Sequence, residues 1–299
     1  MIQLNGVSMK FDGKEVLSDL NLSVNTGSAF GLLGANGAGK STILRLLSGI
    51  YKQTSGEVLI DGEEVYDNRN AKGKIFFIND ETVQYNHYTL KEIKDFYKGY
   101  YPKFSEEIYE TLKNTVKLPE DKKLNQFSKG MKRQAIVIIG LACQPDYLLL
   151  DEAFDGLDPT MRIIVKKMLI NAMVERNLTT IISSHNLKEI GEICDCVALV
   201  YGGKVVFSKE IDDVTGNVHK IQIAFGENQG KDTFKELDIL HYEMTGSITS
   251  MIVRGNSEEI RQVIAPMKPI VFDMIPLTLE EVFIYEMEGL GYEGSFSDQ

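Results

Sequence analysis

The hydrophobic pattern of this 299-residue chain changes several times, and each change predicts a different kind of element. Over the first thirty residues, short apolar stretches at 2–4, 7–11 and 20–24 alternate with turn residues. Such alternation is typical of antiparallel strands that bury one face. The sequence therefore predicts an N-terminal antiparallel β subdomain.

After this region the pattern becomes that of an α/β core. Residues 29–33 are continuously apolar and predict a buried strand, which a glycine-rich turn joins to helical spacing over residues 41–47. Further short apolar stretches alternate with helical spacing, at 147–150, 161–176, 179–182 and 197–200. This order predicts a parallel sheet with crossover helices.

Two more regions complete the predicted α/β architecture. Residues from about 85 to 145 are mostly helical in pattern and predict a helical subdomain, with candidate helices at 91–100, 105–116 and 129–143. The composition changes near residues 213–217, and the rest mixes strand and helix patterns. We therefore predict a first domain over residues 1–213 and a small α+β accessory domain over residues 217–299.

Composition and charge narrow the class of protein. Hydrophobic residues make up 43% of the chain and charged residues 25%, as in ordinary folded domains. The net charge is −11, and residues 217–299 hold 6 Lys and Arg against 14 Asp and Glu, so no general nucleic-acid partner is expected. No secretory signal is recognised, and no apolar run reaches the roughly 20 residues of a spanning helix, which together predict a cytoplasmic location.

The turn after residues 29–33 carries a phosphate-binding motif. Gly34, Gly39, Lys40 and Ser41 fit the spacing G-x-x-x-x-G-K-[ST] between a strand and a helix. Backbone N–H groups of such a loop face phosphate oxygens, Lys40 reaches the β and γ phosphates, and Ser41 binds Mg²⁺. The predicted contacts to the nucleotide also include Asn36, Gly37, Ala38, Gly39 and Thr42. The motif alone does not separate a kinase, a GTPase and a transport ATPase.

A second acidic motif completes the predicted site. The apolar residues 147–150 lead into Asp151 and Glu152. We expect Asp151 to hold Mg²⁺, and Glu152 to polarise the water that attacks the γ-phosphate. The alternative is a strand that ends in two solvated acidic residues.

Residues 127–134, F-S-K-G-M-K-R-Q, precede this motif, and with them the chain resembles the ATP-binding subunits of ABC transporters. Ser128 and Gly130 match the family's signature loop, L-S-G-G-Q, whereas Phe127, Lys129 and Met131 replace its Leu, Gly and Gln. The resemblance implies that Ser128 and Gly130 contact ATP bound to an opposite subunit. The alternative is an N-cap before an amphipathic helix.

Further family motifs follow in order. Asp158 belongs to a stretch, D-G-L-D-P at 155–159, that resembles the loop crossing the dimer interface. His185 fits the family's switch histidine, which contacts the γ-phosphate. Phe11 falls where the family stacks an aromatic ring on adenine, with core packing as its alternative, and Val16 is placed beside it among the nucleotide-binding residues.

One position departs from the family. The family's Q-loop glutamine is missing after the predicted strand at 74–78, and Asp80 is the best-aligned substitute as a ligand of Mg²⁺. Gln84 is a rival, and a solvated acidic loop is an equal alternative.

The resemblance covers about residues 1–210 and implies an ATPase, with ATP and Mg²⁺, that powers a separate membrane permease. It implies a homodimer or heterodimer held peripherally at the inner face of the membrane. The closest likeness is to bacterial exporters of drugs or peptides, through residues 128–134 and 276–283. The alternative is an ABC-type ATPase acting on ribosomes or DNA. A third hypothesis, a regulatory module without catalysis, is disfavoured because Lys40, Asp151, Glu152 and His185 are all present.

Overall fold

The computed structural model describes residues 1–79, 85–226 and 230–289, and it divides the chain into two compact units, Met1–Ser208 and Lys209–Gln299. The strands in chain order are β1 (Ile2–Phe11), β2 (Lys14–Val24), β3 (Ala29–Leu33), β4 (Ser55–Ile60), β5 (Glu63–Glu64), β6 (Ile75–Ile78), β7 (Tyr147–Asp151), β8 (Thr179–Ser184), β9 (Cys196–Tyr201), β10 (Lys204–Glu210), β11 (Val218–Ala224), β12 (Asp238–Thr245), β13 (Ile248–Arg254) and β14 (Val271–Pro276). The helices are α1 (Lys40–Leu47), α2 (Arg69–Gly73), α3 (Leu90–Tyr100), α4 (Glu106–Val116), α5 (Lys129–Ala142), α6 (Pro159–Arg176), α7 (Leu187–Gly191), α8 (Ile211–Gly216), α9 (Ser257–Ile264) and α10 (Leu279–Gly289).

A six-stranded sheet in the order β10-β9-β3-β8-β7-β6 forms the centre of the first unit. The pairings from β9 through β6 are all parallel, as the continuous apolar stretches predicted. Every residue of β3, β7 and β8 is buried, because helices cover both faces of such a sheet. The carboxyl ends of β3, β7 and β8 meet at one edge, where α/β folds bind their ligands.

The predicted N-terminal antiparallel subdomain is a four-stranded sheet in the order β2-β1-β4-β5. The separate stretches at 2–4 and 7–11 belong to one strand, β1, whose pairing with β2 shifts register between Leu4 and Val7. Gly6 lies in this shift with a φ of +59°, a backbone conformation that glycine adopts without strain. The interruption seen in the sequence is therefore a bulge rather than a turn.

The predicted helical subdomain consists of α3, α4 and α5, and each begins at a polar cap. The Thr89 side chain accepts from the N–H of Glu92 in a capping box, the Ser105 hydroxyl accepts from the N–H of Ile108, and the Ser128 hydroxyl accepts from the N–H of Met131. These caps explain why the three helices begin directly after Thr89, Ser105 and Ser128.

One cluster of buried side chains holds the first unit together. It joins the antiparallel sheet through Ile2 and Leu4, α1 through Ile43, and the parallel sheet through Phe30 and Leu149. Across the described residues, no helix is both long enough and apolar enough to cross a membrane.

The second unit has the predicted α+β composition. Its four-stranded antiparallel sheet has the order β12-β13-β11-β14. Ile221 and Met251 on the sheet form a buried cluster with Ile260 and Ile264 of α9. Alternate residues of β11 face this cluster, as the period of two in its sequence requires.

Candidate active site

The loop between β3 and α1 curls because its glycines adopt conformations that other residues avoid. Gly34, Gly37 and Gly39 have φ values of +153°, +81° and +115°. A Cβ at Gly34 would lie 2.3 Å from the carbonyl oxygen of Val200, so a side chain is also excluded by contact. α1 starts at Lys40, and no side chain of the described residues caps it. Its first N–H groups are therefore available to an anion.

Lys40 lies against this loop and is only 5% exposed. Its Nζ donates to the carbonyl oxygens of Gly34 at 2.5 Å and of Ala35 at 3.3 Å, and lies 3.8 Å from Oε1 of Glu152. Burial lowers the pKa of Lys40, while the carboxylates of Glu152 and Asp151 act in the opposite direction. The loop thus holds a buried cation beside free backbone N–H groups.

Asp151, the last residue of β7, is completely buried. Its Oδ1 accepts from the hydroxyl of Ser183 at 2.5 Å, and its Oδ2 has no hydrogen-bond partner among the described residues. Leaving a buried carboxylate oxygen unpaired is costly in free energy. The unpaired oxygen fits a hard divalent cation, which oxygen ligands bind best. Ser41, predicted as a second ligand, is half-buried in the first turn of α1.

Glu152 connects the cluster. Its φ is +46°, and its N–H group donates to the carbonyl and hydroxyl oxygens of Ser183 at 3.2 and 3.1 Å. Its Oε2 lies 3.0 Å from Nδ1 of His185. Burial raises the pKa of Glu152, and the opposing effects of His185 and Lys40 only reduce the shift. Glu152 therefore contacts two of the predicted site residues, Lys40 on one oxygen and His185 on the other.

His185 follows β8, and its side chain is 49% exposed. One donor atom each of Glu152, Asp155 and His185 lies within 4.8 Å of the others. Asp155 was not among the predicted site residues, yet its charge also contributes to the raised pKa of Glu152. Its place in the D-G-L-D-P stretch is the sequence signal that could have identified it.

A second group of predicted residues lies at the starts of α5 and α6. Ser128 caps α5, and a Cβ at Gly130 would lie 2.8 Å from the carbonyl oxygen of Gly156. A Cβ at Gly156 would in turn lie 2.9 Å from Cδ of Lys129. Asp158 caps α6 by accepting from the N–H of Met161 at 3.0 Å. The start of α5 therefore packs on the loop that leads to Asp158.

The remaining predicted residues lie in other positions. Phe11, at the end of β1, is 36% exposed and makes an edge-to-face contact with Tyr51 at 5.2 Å between ring centroids. Val16 is half-buried, and its carbonyl oxygen would lie 3.7 Å from a Cβ at Gly39. Asn36 and Gly37 are exposed, Ala38 and Gly39 are buried, and Thr42 is half-buried. Asp80 and its rival Gln84 lie outside the described residues.

The chain is similar in sequence and fold to known proteins. The family model described as "ABC transporter" matches residues 17–155. The ABC transporter ATP-binding protein YtrB of Bacillus subtilis (strain 168) is 32% identical over 289 residues, which cover 97% of this chain and 99% of YtrB. The lantibiotic transport ATP-binding protein SrtF of Streptococcus pyogenes is 32% identical over 217 residues, covering 71% of this chain and 92% of SrtF.

Other relatives and structures extend the likeness. The methionine import ATP-binding protein MetN of Staphylococcus haemolyticus (strain JCSC1435) is 30% identical over 273 residues, covering 86% of this chain and 79% of MetN. A solved ATP-binding subunit of an ABC transporter, 25% identical, superimposes with a TM-score of 0.66 and covers 72% of this chain and 91% of its own. Together with the glycine loop, the buried lysine and the two carboxylates, these matches show that this chain belongs to the ATP-binding proteins of ABC transporters, a family of P-loop ATPases.

Proposed function

We propose that this chain hydrolyses ATP at the cluster of Lys40, Asp151, Glu152 and His185 and uses the energy to drive a separate membrane permease. The observation that carries the proposal is the position of Glu152, 3.8 Å from Lys40 and 3.0 Å from His185. A carboxylate between a cation and an imidazole, beside an anion-binding loop, is suited to orient a water at a bound γ-phosphate.

Each residue has a distinct role in this reaction. Lys40 and the loop N–H groups bind the β and γ phosphates, Glu152 takes the proton of the attacking water, and His185 holds Glu152 and the γ-phosphate in register. Asp151 and Ser41 would hold Mg²⁺, as the unpaired Oδ2 of Asp151 supports. Mg²⁺ would neutralise phosphate charge. Because burial raises the pKa of Glu152, it accepts a proton more readily than an exposed carboxylate.

The second group of residues supports a composite site between two subunits. Gly130 approaches the carbonyl oxygen of Gly156, and Ser128 and Asp158 cap the helices that begin next to these glycines in the sequence. We propose that two subunits close head to tail on MgATP, so that this group reaches the ATP held by the other subunit. A homodimer and a heterodimer are both compatible with this arrangement.

We propose that the permease docks at a cavity of about 350 Å³. It lies between the parallel sheet and the helical subdomain, and its lining includes Phe77, Tyr85, Tyr97 and Tyr101. We propose that a short cytoplasmic helix of the permease inserts there, which would hold the chain peripherally at the inner face of the membrane.

For the direction of transport we propose export of a drug or peptide. The S-K-G-M-K-R-Q stretch at 128–134 and the lantibiotic transport named for SrtF support export, whereas MetN is named for import. Greater accumulation of a drug and peptide panel in cells that lack this protein is the expected result, and lower accumulation would indicate import.

The substitution Glu152→Gln tests the hydrolytic role directly. The amide keeps the size of the side chain but cannot accept the proton of the attacking water, so hydrolysis should fall at least about 100-fold while ATP still binds. Trapped ATP should then shift the variant to a dimer when MgATP is added. Light scattering after size exclusion, with and without MgATP, measures this shift beside a phosphate-release assay.

Glu236→Gln serves as the control, because it makes the same change at an exposed site in the second unit. It should hydrolyse ATP at the wild-type rate. Hydrolysis by Glu152→Gln at the wild-type rate would place the base elsewhere, with Asp80 and His185 as the next candidates.

A further inference from the structure

Glu189 is a buried carboxylate outside the ATP-binding cluster, and each of its oxygens contacts a different element. It lies in α7 and is 6% exposed. Oε2 accepts from the hydroxyl of Ser184 at 3.1 Å, and Oε1 lies 2.9 Å from Nη1 of Arg162. Charged groups are rarely buried unless they are paired, so both contacts are expected to persist in the folded chain.

The contact to Ser184 orients the turn that carries His185. The hydroxyl of Ser184 donates to Glu189 and accepts from the N–H of Asn186 at 3.0 Å. Ser184 and Asn186 are the residues directly before and after His185. Glu189 therefore directs the hydroxyl hydrogen away from Asn186, which leaves the oxygen free to accept and closes the turn around His185.

The contact to Arg162 reaches the loop on the other side. Arg162 lies in the first turn of α6, and its own N–H donates to the carbonyl oxygen of Asp158 at 2.9 Å. Asp158 caps the same helix through its side chain. The position of Arg162 is thus tied to the 155–158 loop, which packs against the start of α5 at Gly130.

We infer that Glu189 is a positioning residue that couples the turn of His185 to the 155–158 loop, so that the two segments move as one unit during ATP hydrolysis. This inference rests on the proposed function, because it assigns His185 to the γ-phosphate. A carboxylate serves here because it accepts from both partners at once. A glutamine at this position offers one oxygen and one N–H₂ group, and so opposes either the hydroxyl donor or the guanidinium.

The chain offers a matched control on the same pair of helices. Glu192, the residue after α7, forms an ion pair with Lys166 of α6 at 2.6 Å, and its side chain is 49% exposed. This pair joins α6 and α7 without contacting Ser184 or Asn186. Glu192→Gln therefore removes an ion pair between these helices but leaves the turn of His185 intact.

The test is the steady-state kinetics of ATP hydrolysis by the full chain, with kcat and KM measured separately. Glu189→Gln should lower kcat about 10-fold or more and leave KM for ATP within about twofold, because a small displacement of a reacting group affects the chemical step more than binding. Glu192→Gln should keep both constants within about twofold. Thermal melts confirm that each variant is folded at the assay temperature.

Arg162 provides a second, independent arm if Glu189→Gln does not fold. Arg162→Met should reproduce the low kcat, and Arg162→Lys should restore part of it because a positive charge again faces Oε1 of Glu189. The double variant Glu189→Gln with Arg162→Met should lose little beyond either single variant, as expected for two groups acting together.

Two results would overturn the coupling. One is a wild-type kcat in folded Glu189→Gln, or in folded Arg162→Met if the former does not fold. The other is an equal loss of kcat in Glu192→Gln. That result would mean that breaking any ion pair between α6 and α7 lowers kcat. The proposed function itself would instead be contradicted if the wild-type chain did not hydrolyse ATP, or if Glu152→Gln hydrolysed ATP at the wild-type rate.

Discussion

At the residue scale, the site gathers ionisable groups that act on one another's charge. Lys40 and Asp151 are nearly or completely buried, and Glu152 lies between Lys40 and His185. Removing Glu152 takes away the carboxylate that both Lys40 and His185 contact, and removing Lys40 takes away the buried cation beside Glu152. Single substitutions here should therefore change binding and turnover in different ways.

Lys40→Ala should strongly reduce the affinity for ATP. The substitution removes the cation that faces the β and γ phosphates, and charge-assisted hydrogen bonds are the strong ones, so we expect affinity to fall at least about 100-fold. Isothermal titration calorimetry measures this loss. Lys103→Ala is the control, because Lys103 is exposed and pairs with Asp146 on the surface. Unchanged affinity in Lys40→Ala would remove the loop from the phosphate site.

The pH dependence of kcat/KM should reveal the raised pKa of Glu152. Hydrolysis needs the ionised carboxylate, so activity is present above this pKa and lost as the pH falls through it. Burial raises the pKa, and the acid limb should therefore lie at higher pH than for an exposed glutamate. Burial also lowers the pKa of Lys40, which favours an earlier alkaline limb than for an exposed lysine. An acid limb at the usual glutamate position would contradict the assignment.

At the scale of elements, the carboxyl ends of the parallel strands carry residues of the candidate site, and α5 packs against the loop that follows β7. β7 ends at Asp151 and β8 at Ser184, and the register pairs Asp151 with Ser183. The start of α5 is held against the 155–158 loop, because Gly130 leaves just enough room for the backbone of Gly156. We therefore expect a movement of α5 to displace the loop that caps α6.

Gly130→Ala should uncouple dimerisation from ATP binding. The new Cβ would lie 2.8 Å from the carbonyl oxygen of Gly156, so α5 or the loop must shift. We expect stability to fall by about 1–3 kcal/mol, and MgATP-driven dimerisation and kcat to fall about 10-fold, with ATP affinity of the monomer nearly unchanged. Analytical ultracentrifugation with MgATP measures the dimer.

Gly73→Ala is the matched control for this substitution. Gly73 ends α2, and a Cβ there would meet no atom within 4 Å. This variant should dimerise and hydrolyse ATP like the wild type. Normal dimerisation by Gly130→Ala would mean that the contact between α5 and the loop plays no part in the composite site.

At the scale of the whole molecule, the chain divides into two compact units, and the boundary between them along the sequence lies between Ser208 and Lys209. This boundary is close to the break predicted near residues 213–217. The lysine, carboxylates and histidine of the candidate site all belong to the first unit. α8 belongs to the second unit, where it packs with α10 and buries Val214. The separation of the two units as folding domains remains a prediction.

A shortened chain that ends after Glu210 should fold and bind ATP with affinity within about twofold of the full chain, because no residue of the site is removed. A chain that ends after Gly216 should bind ATP equally but associate more, since α8 then exposes Val214 without the rest of its unit. Calorimetry and light scattering compare the two. Loss of ATP binding in a folded 1–210 chain would show that the second unit supports the site.

The sequence by itself determined the features that depend on local geometry. The spacing of Gly34, Gly39, Lys40 and Ser41 requires a phosphate loop, because the loop's backbone conformation depends only on neighbouring residues. The periods of two and 3.6 likewise predicted most of the strands and longer helices of both units. The strands β4, β5, β10, β12 and β14 were not predicted, because most of their residues are exposed or only partly buried. The helices α2, α7 and α8 were not predicted either, because five or six residues are too few to show a helical period.

Only the tertiary structure decided which side chains meet. Glu152 contacts Lys40 and His185 because β3, β8 and β7 are adjacent in the sheet, an order that no local pattern encodes. The hydrogen bond from Ser183 to Asp151 follows from the same register. The roles of Ser183 and Glu189 could not be read from the sequence for this reason, since contacts between distant residues are set by strand order and helix packing rather than by residue spacing.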